Sequence, residues 1–340
     1  MKKLRVEDAV GQILCHDLTR IVRGGMKGAQ FKKGHVIRGE DVPLLLDMGK
    51  RHIFVWEAHE GLLHENEAAA RLAALCLNDN MDCSAVSEGK IDLTAAADGL
   101  FRADTKRLCG INAIEDIIIA CRHSLTPVKK GDKLAGTRVI PLAVSEAKIA
   151  HAEAIANGSP IFELLEYKMK TACIITTGSE IAAGRITDTL TPVIEDKLRG
   201  YGLKVLDQAL AGDEIADIER AITRARALQP DLILCTGGMS VDPDDNTPGA
   251  IKRSGAKIVT YGAPVLPGAM FLLGYYEDGL PIMGLPGCVM YAATTVFDIV
   301  LPRVAAGLVM SKRDFAIMGN GGLCLGCKDC KFPACSFGKG

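Results

Sequence analysis

Residues 171–190 read TACIITTGSEIAAGRITDTL. An apolar, β-branched run breaks at Gly178, and a polar loop with further glycine follows before helical spacing resumes in DTLTPVIEDKLRGYG. A short apolar run bounded by turn residues is the pattern of a strand covered on both faces, which requires helices above and below a parallel sheet. The chain then repeats the pattern. LKVLDQAL and DLILCTGG read as strands, with DEIADIERAITRARALQ between them as a helix that Pro230 stops. A short helix in TPGAIKRSG, strands in AKIVTYG and LPIMGLPG, and a long helix in CVMYAATTVFDIVLPRVAAG complete the set. Strands alternating with helices predict an α/β fold over 171–310, a three-layer αβα arrangement on a doubly wound, mostly parallel sheet.

Upstream the alternation is lost. Residues 1–58 carry short apolar runs broken by glycines and read as a small β-rich subdomain with one helix from Asp41 to Met48. Residues 59–170 read as a mixed α/β region: helices over 60–78 and 110–122, strands in TPVKKGDKLAGTRVIPLAV, then a helix in AKIAHAEAIANG. Residues 311–340 lose periodicity and form a Cys-rich tail.

At 340 residues, 48 % hydrophobic and 24 % charged, the chain has material for two or three domains with full cores. A net charge of -1 offers no global field for nucleic acid or an anionic membrane, and neither is expected as a partner. No window reaches the roughly 18 uninterrupted apolar residues of a spanning helix. The opening MKKLRVEDAVGQIL has no long apolar core of the kind a signal peptide needs, so a cytoplasmic protein is expected. In that reducing setting the cysteines outside the tail are expected as buried small hydrophobes.

Two strand ends combine glycine with carboxylates. After the first strand come Thr177, Gly178, Glu180, Gly184 and Asp188; after DLILC come Gly237, Gly238, Ser240, Asp242, Asp244, Asp245 and Thr247. Glycines let backbone amides approach an anion, and a helix N-terminus adds donors. Carboxylates beside a phosphate cradle are unfavourable unless a divalent cation lies between, so the pattern predicts Mg²⁺ shared with a substrate phosphate, a phosphoryl- or nucleotidyl-transfer type of site. Asp188 and Thr247 also have a plainer reading as helix caps.

With these loops in view, the span from about 170 to 308 resembles the molybdenum cofactor biosynthesis domain shared by molybdopterin adenylyltransferases, molybdopterin molybdotransferases and competence-damage-inducible proteins. The residues that carry the likeness are TTGSEIAAGRITDT, TGGMSVDPDDNTP, PVLPGAMFLL and LPIMGLPG. The resemblance implies a pterin-phosphate site lined by Thr177, Gly178, Gly184, Gly237, Gly238, Ser240, Thr247, Pro286 and Gly287. It implies catalytic roles for Glu180, Asp188 and Asp245, with Asp188 and Asp245 as Mg²⁺ ligands. The substrates implied are molybdopterin or adenylylated molybdopterin and molybdate, with a homodimer as the assembly and a molybdoenzyme apoprotein as a further partner. The long region before the domain, in which FKKGHVI and LLLDMGKRHIFV resemble the molybdotransferase opening, favours that branch. The chain departs from the family pattern at Ser179, Leu190 and Cys288. Adenylyl transfer from ATP and a non-catalytic molybdopterin carrier therefore stand as alternatives.

The tail holds Cys324, Cys327, Cys330 and Cys335 in CLGCKDCKFPAC. Its first three thiols have the spacing of a compact iron–sulfur run, although the last gap and the position of Pro333 differ from the ferredoxin pattern. A four-cysteine zinc site is the chief rival, and it more often uses two separated knuckles. A free or redox-active thiol tail is the third reading.

Overall fold

The computed structural model describes residues 2–21, 27–55, 60–179, 185 and 188–339. The chain divides into two compact units, one of Met1–Ala97, Phe101–Ser124 and Lys129–Leu164, the other of Asp98–Leu100, Leu125–Val128 and Leu165–Gly340.

The first unit opens with β1 (Lys2–Arg5), β2 (Leu18–Ile21), β3 (Lys27–Phe31), α1 (Asp41–Asp47) and β4 (His52–Val55). β1 pairs antiparallel with β4, and β2 with β3. Val6, Leu14, Phe31, Leu45 and Val55 fill the core between them. Gly49, at φ +76°, supplies the left-handed stop after α1. The elements that follow in the chain are β5 (Leu62–His64), α2 (Glu65–Ala74), β6 (Met81–Cys83), β7 (Lys90–Ala95), β8 (Gly99–Ala103), α3 (Thr105–Asn112), β9 (Ile117–Cys121), β10 (Thr126–Val128, a strand of the second unit), β11 (Lys133–Val139), β12 (Ala143–Ser145), α4 (Glu146–Ala156) and β13 (Phe162–Leu165). An antiparallel sheet in the order β6-β7-β11-β9 organises this part of the first unit.

Two expected helices are shorter than their apolar spacing implied. The helix expected over 110–122 stops at Asn112, whose side-chain amide bonds both the N–H and the C=O of Ile119 at 2.8 Å. Ile117–Cys121 is a strand, because consecutive isoleucines are stiff at χ1 and sit better on a pleated surface. The helix expected over 60–78 runs only over α2, after the strand β5.

The second unit continues with β14 (Thr171–Thr177), α5 (Leu190–Arg199), β15 (Lys204–Ala211), α6 (Ile215–Ala227), β16 (Leu232–Thr236), α7 (Thr247–Arg253), β17 (Lys257–Tyr261), β18 (Leu272–Tyr275), β19 (Pro281–Leu285), α8 (Val296–Ala305) and α9 (Lys312–Ile317). Its sheet has the order β15-β14-β16-β19-β18-β17. The first four strands are parallel, whereas β18 runs antiparallel to both its neighbours. β18, in the run MFLLGYY, was not anticipated.

Strand side chains divide between two cores. Ala172, Ile174, Leu232, Leu234 and Met283 pack with Ile194 and Leu198 of α5 and with Phe297, Val300 and Val304 of α8. Their sequence neighbours Cys173, Ile175, Ile233, Cys235 and Ile282 pack with Ile218, Ile222 and Ala225 of α6 and with Ile251 of α7. Each large aliphatic or aromatic side chain buried this way contributes about 1.5–3 kcal/mol of transfer free energy, which is why the strands read as continuous apolar runs.

The closing helix is also shorter than expected. Gly287–Met290 form a 3₁₀ turn, and α8 starts only at Val296, where Thr295 and Asp298 make a reciprocal capping box. The tail packs against the same core. Leu266 N–H donates to Gly322 O and Cys324 N–H to Leu266 O, both at 2.8 Å, Phe337 is buried, and the Arg303 guanidinium donates to Gly338 O at 3.1 Å.

Candidate functional site

The parallel strands β14 and β16 end side by side, Thr176 opposite Thr236, and their loops interlock. Thr177 Oγ1 lies 3.2 Å from both Thr236 O and Thr247 Oγ1, and Thr247 Oγ1 donates to Gly237 O at 2.9 Å. Thr247 is fully buried, and its N–H donates to Gly238 O at 3.3 Å. Gly237 sits at φ +88°, and a Cβ there would lie 2.3 Å from Thr177 O. Only glycine permits this contact between the two strand ends. The structure therefore brings Thr177, Gly178, Gly237, Gly238 and Thr247 together, with Thr247 opening α7 as well as latching the loop.

Ser240 is exposed in the loop that follows. The Tyr261 hydroxyl donates toward Met239 O and Ser240 O at 3.1 Å each, holding that loop against β17. Burial pushes the Tyr261 phenol up, and the negative charge of Asp245 adds to the shift. Asp245 is half-buried; its Oδ2 accepts the N–H of Asp242 at 3.2 Å. Pro286 is buried at the end of β19, and Gly287 is exposed at the start of the 3₁₀ turn.

Asp188 is committed elsewhere. Its Oδ1 accepts the N–H groups of Leu190 at 2.9 Å and Thr191 at 3.1 Å; its Oδ2 accepts the Thr176 hydroxyl at 3.2 Å and, more closely, that of Thr191. Burial pushes this carboxyl up, but the four hydrogen bonds outweigh it and hold the group below the ordinary aspartate value. Those bonds occupy a carboxylate's roughly four acceptor sites, leaving none for a cation. Asp188 is thus the cap of α5 and a staple to β14. Glu180 and Gly184 lie outside the described residues. Among the described residues, no three His, Cys, Asp or Glu side chains are grouped as a single metal ion would need.

Sequence reasoning missed several residues of this edge. Asp213 accepts the Ser179 N–H at 2.8 Å, and its carbonyl accepts from the Asn246 side chain at 3.0 Å, so one residue ties together the loops after β14, β15 and β16. The signal was present. Gly212-Asp213 follows β15 as glycine and carboxylate follow the other two strands. Thr176 and Thr191 gave no sequence signal of their partnership with Asp188.

A cleft of about 720 Å³ opens at the other ends of the strands, lined by Lys168, Arg226, Asp231, Asp278 and Pro281. Most of its charged groups are already engaged: Asp231 accepts from Lys170 and Thr171, and Arg226 bonds Asp278 and stacks on Tyr276. Ligands of open α/β sheets bind beyond the carboxyl ends of the strands, where the glycine loops lie.

The cysteines outside the tail are only partly as expected. Cys15, Cys76, Cys173 and Cys235 are buried, but Cys83 and Cys109 are exposed. Burial raises the Cys235 and Cys76 thiols to about 12, far from nucleophilic use at neutral pH.

Known families and proteins match two segments of the chain. A family described as a domain of unknown function matches residues 3–57, and the family described as "Probable molybdopterin binding domain" matches residues 173–306. The molybdopterin molybdenumtransferase of Haemophilus influenzae is 27 % identical over 187 residues, 52 % of this chain and 43 % of the relative. A CinA-like protein of Pseudothermotoga lettingae is 41 % identical over 86 residues, 25 % of this chain and 21 % of the relative. The chain thus spans less than half the length of these curated relatives. Among solved structures, the molybdopterin biosynthesis Mog protein of Mycobacterium ulcerans is 24 % identical, covering 40 % of this chain and 92 % of that one with a TM-score of 0.33. At that score the overlay adds nothing to the sequence match. No helix among the described residues is long and apolar enough to cross a membrane. The match to the family described as "Probable molybdopterin binding domain" takes in both glycine loops.

Proposed function

We propose that this chain binds molybdopterin at the carboxyl edge of β14 and β16 and inserts molybdate into the adenylylated form, releasing AMP. The observation that carries the proposal is the latch of Thr177, Gly237, Gly238 and Thr247, a close approach of two strand-end loops that only glycine permits and that lies within the matched segment. The transferase branch is favoured because the match to the molybdenumtransferase runs over 187 residues, more than the 173–306 segment alone.

Asp245 fits a hard cation: it is half-buried, and one backbone N–H leaves it free acceptor sites. Mg²⁺ held by Asp245 would supply positive charge to offset that of a bound phosphate. Asp245 holds the cation, Gly237 and Gly238 let the main chain approach the phosphate, and Asp188 fixes α5 and β14 instead of ligating. Ser240 and the Pro286-Gly287 turn border the pterin. A homodimer in the cytoplasm and delivery to a molybdoenzyme complete the proposal on the strength of the family resemblance.

A second reading, a molybdopterin carrier without turnover, is favoured by the engagement of Asp188. One assay separates the readings: incubate the protein with Mg²⁺ and either adenylylated molybdopterin plus molybdate or molybdopterin plus ATP, and score AMP and pyrophosphate separately. Molybdate-dependent AMP that disappears in Asp245→Asn is the expected result. Pyrophosphate assigns adenylyl transfer, and tight pterin binding without either product assigns the carrier.

A further inference from the structure

The four tail cysteines are not used by that site, yet all of them line one cavity of about 380 Å³. Its remaining walls include Tyr291, Thr294, Leu323, Leu325 and Phe337. Cys324 and Cys335 are half-buried on the core side, whereas Cys327 and Cys330 are exposed. At about 380 Å³ the cavity has room for a group of many atoms.

The first three thiols keep the compact Cys-x₂-Cys-x₂-Cys run of iron–sulfur proteins. A four-cysteine zinc site more often uses two separated Cys-x₂-Cys knuckles. A cubane takes one thiolate per iron, and these four cysteines supply that number. Thr294, 4 % exposed, places its hydroxyl 3.1 Å from Cys330 Sγ, so a thiolate there accepts a hydrogen bond from a fixed donor. Lys331, also on the cavity wall, faces the negative charge such a cluster carries.

We infer that Cys324, Cys327, Cys330 and Cys335 bind a four-iron, four-sulfide cluster in this cavity, and that Thr294 tunes its reduction potential. Assembly balances as follows. Four thiols release four protons and bind four irons, four sulfides bridge them, and a dithiol reductant gives two electrons per cluster to bring four ferric ions to two ferric and two ferrous.

The test is anaerobic reconstitution of the full chain with ferric iron, sulfide and dithiothreitol. The expected product has four iron and four acid-labile sulfide per chain and a broad visible absorption that dithionite bleaches. Cys327→Ser and Cys330→Ser, at exposed positions, should lose the cluster with the far-UV dichroism unchanged; Cys83→Ser should retain it. Thr294→Val should keep the iron content and shift the midpoint potential downward, a change that a merely structural threonine would not cause. One zinc per chain in place of iron, no metal on a folded chain, or iron that survives both tail substitutions would overturn the inference.

Discussion

Replacing Gly237 by alanine tests the join between the two glycine loops. The residue sits at φ +88°, and an added Cβ would lie 2.3 Å from Thr177 O and 2.7 Å from Thr177 Oγ1. The left-handed backbone costs an L-residue about 1–2 kcal/mol. Forcing a main-chain carbonyl aside adds about 1–3 kcal/mol, as overpacking does elsewhere. A net loss of about 3 kcal/mol corresponds to a Tm drop of about 6–12 °C for a unit of this size. Gly249 provides the opposite sign within the same loop–helix segment. It lies in α7 with nothing within 4 Å of a built Cβ and no positive φ, so alanine there should stabilise by about 0.5–1 kcal/mol. Calorimetry of the full chain, following the transition of the unit that contains residues 165–340, reads both. If Gly237→Ala melts with the wild type, the close approach of the strand ends is wrong.

Two further outcomes concern titrating groups. Asp188→Asn should cost about 1–2 kcal/mol, the scale of a lost cap. Because the folded carboxyl titrates below its unfolded value of 3.8, its contribution is present above that pH and is lost as pH falls through the lower folded value; the substitution should flatten the acid limb of a urea-midpoint profile. In the first unit, His64 caps α2 by accepting the Asn66 N–H at Nδ1, while its Nε2 bonds Cys15 O, an arrangement that needs the neutral ring. Burial holds its pKa below 6.5, so the stabilisation is present above pH 6.5 and fades as pH drops toward the folded value; His64→Gln should remove that pH dependence.

The second unit was legible where its strands are buried on both faces. The runs at β14, β16 and β19 need no partner information to be read, and glycines after the first two marked the ends that matter. β18 was missed because its apolar run contains Gly274 and lies between turn-rich segments, and because antiparallel insertion breaks the alternation that identified the others. The start of α8 was misplaced because the apolar residues of 288–305 continue through it; the Thr295-to-Asp298 spacing carried the correct boundary. At the site, the Gly237 and Thr247 pairing lay within a single loop and was readable. Asp213, Thr176 and Thr191 act across loops separated by 12 to 34 residues, distances over which local pattern says nothing. Asp188 shows the converse: a carboxylate whose plainer capping role won because two N–H groups and two hydroxyls reached it first.

Equilibrium titration of molybdopterin against the wild type, Gly238→Ala and Arg226→Ala tests the location of the site most directly. Gly238 already holds φ +53°, and a Cβ there would lie 2.9 Å from the buried Thr247 Oγ1, displacing the latch that shapes the surface assigned to the pterin phosphate; Arg226 lines the opposite cleft. The account predicts binding weakened at least about tenfold, some 1.4 kcal/mol, by Gly238→Ala and unchanged by Arg226→Ala. Loss of binding in Arg226→Ala with Gly238→Ala unaffected would place the ligand at the other end of the sheet and contradict it.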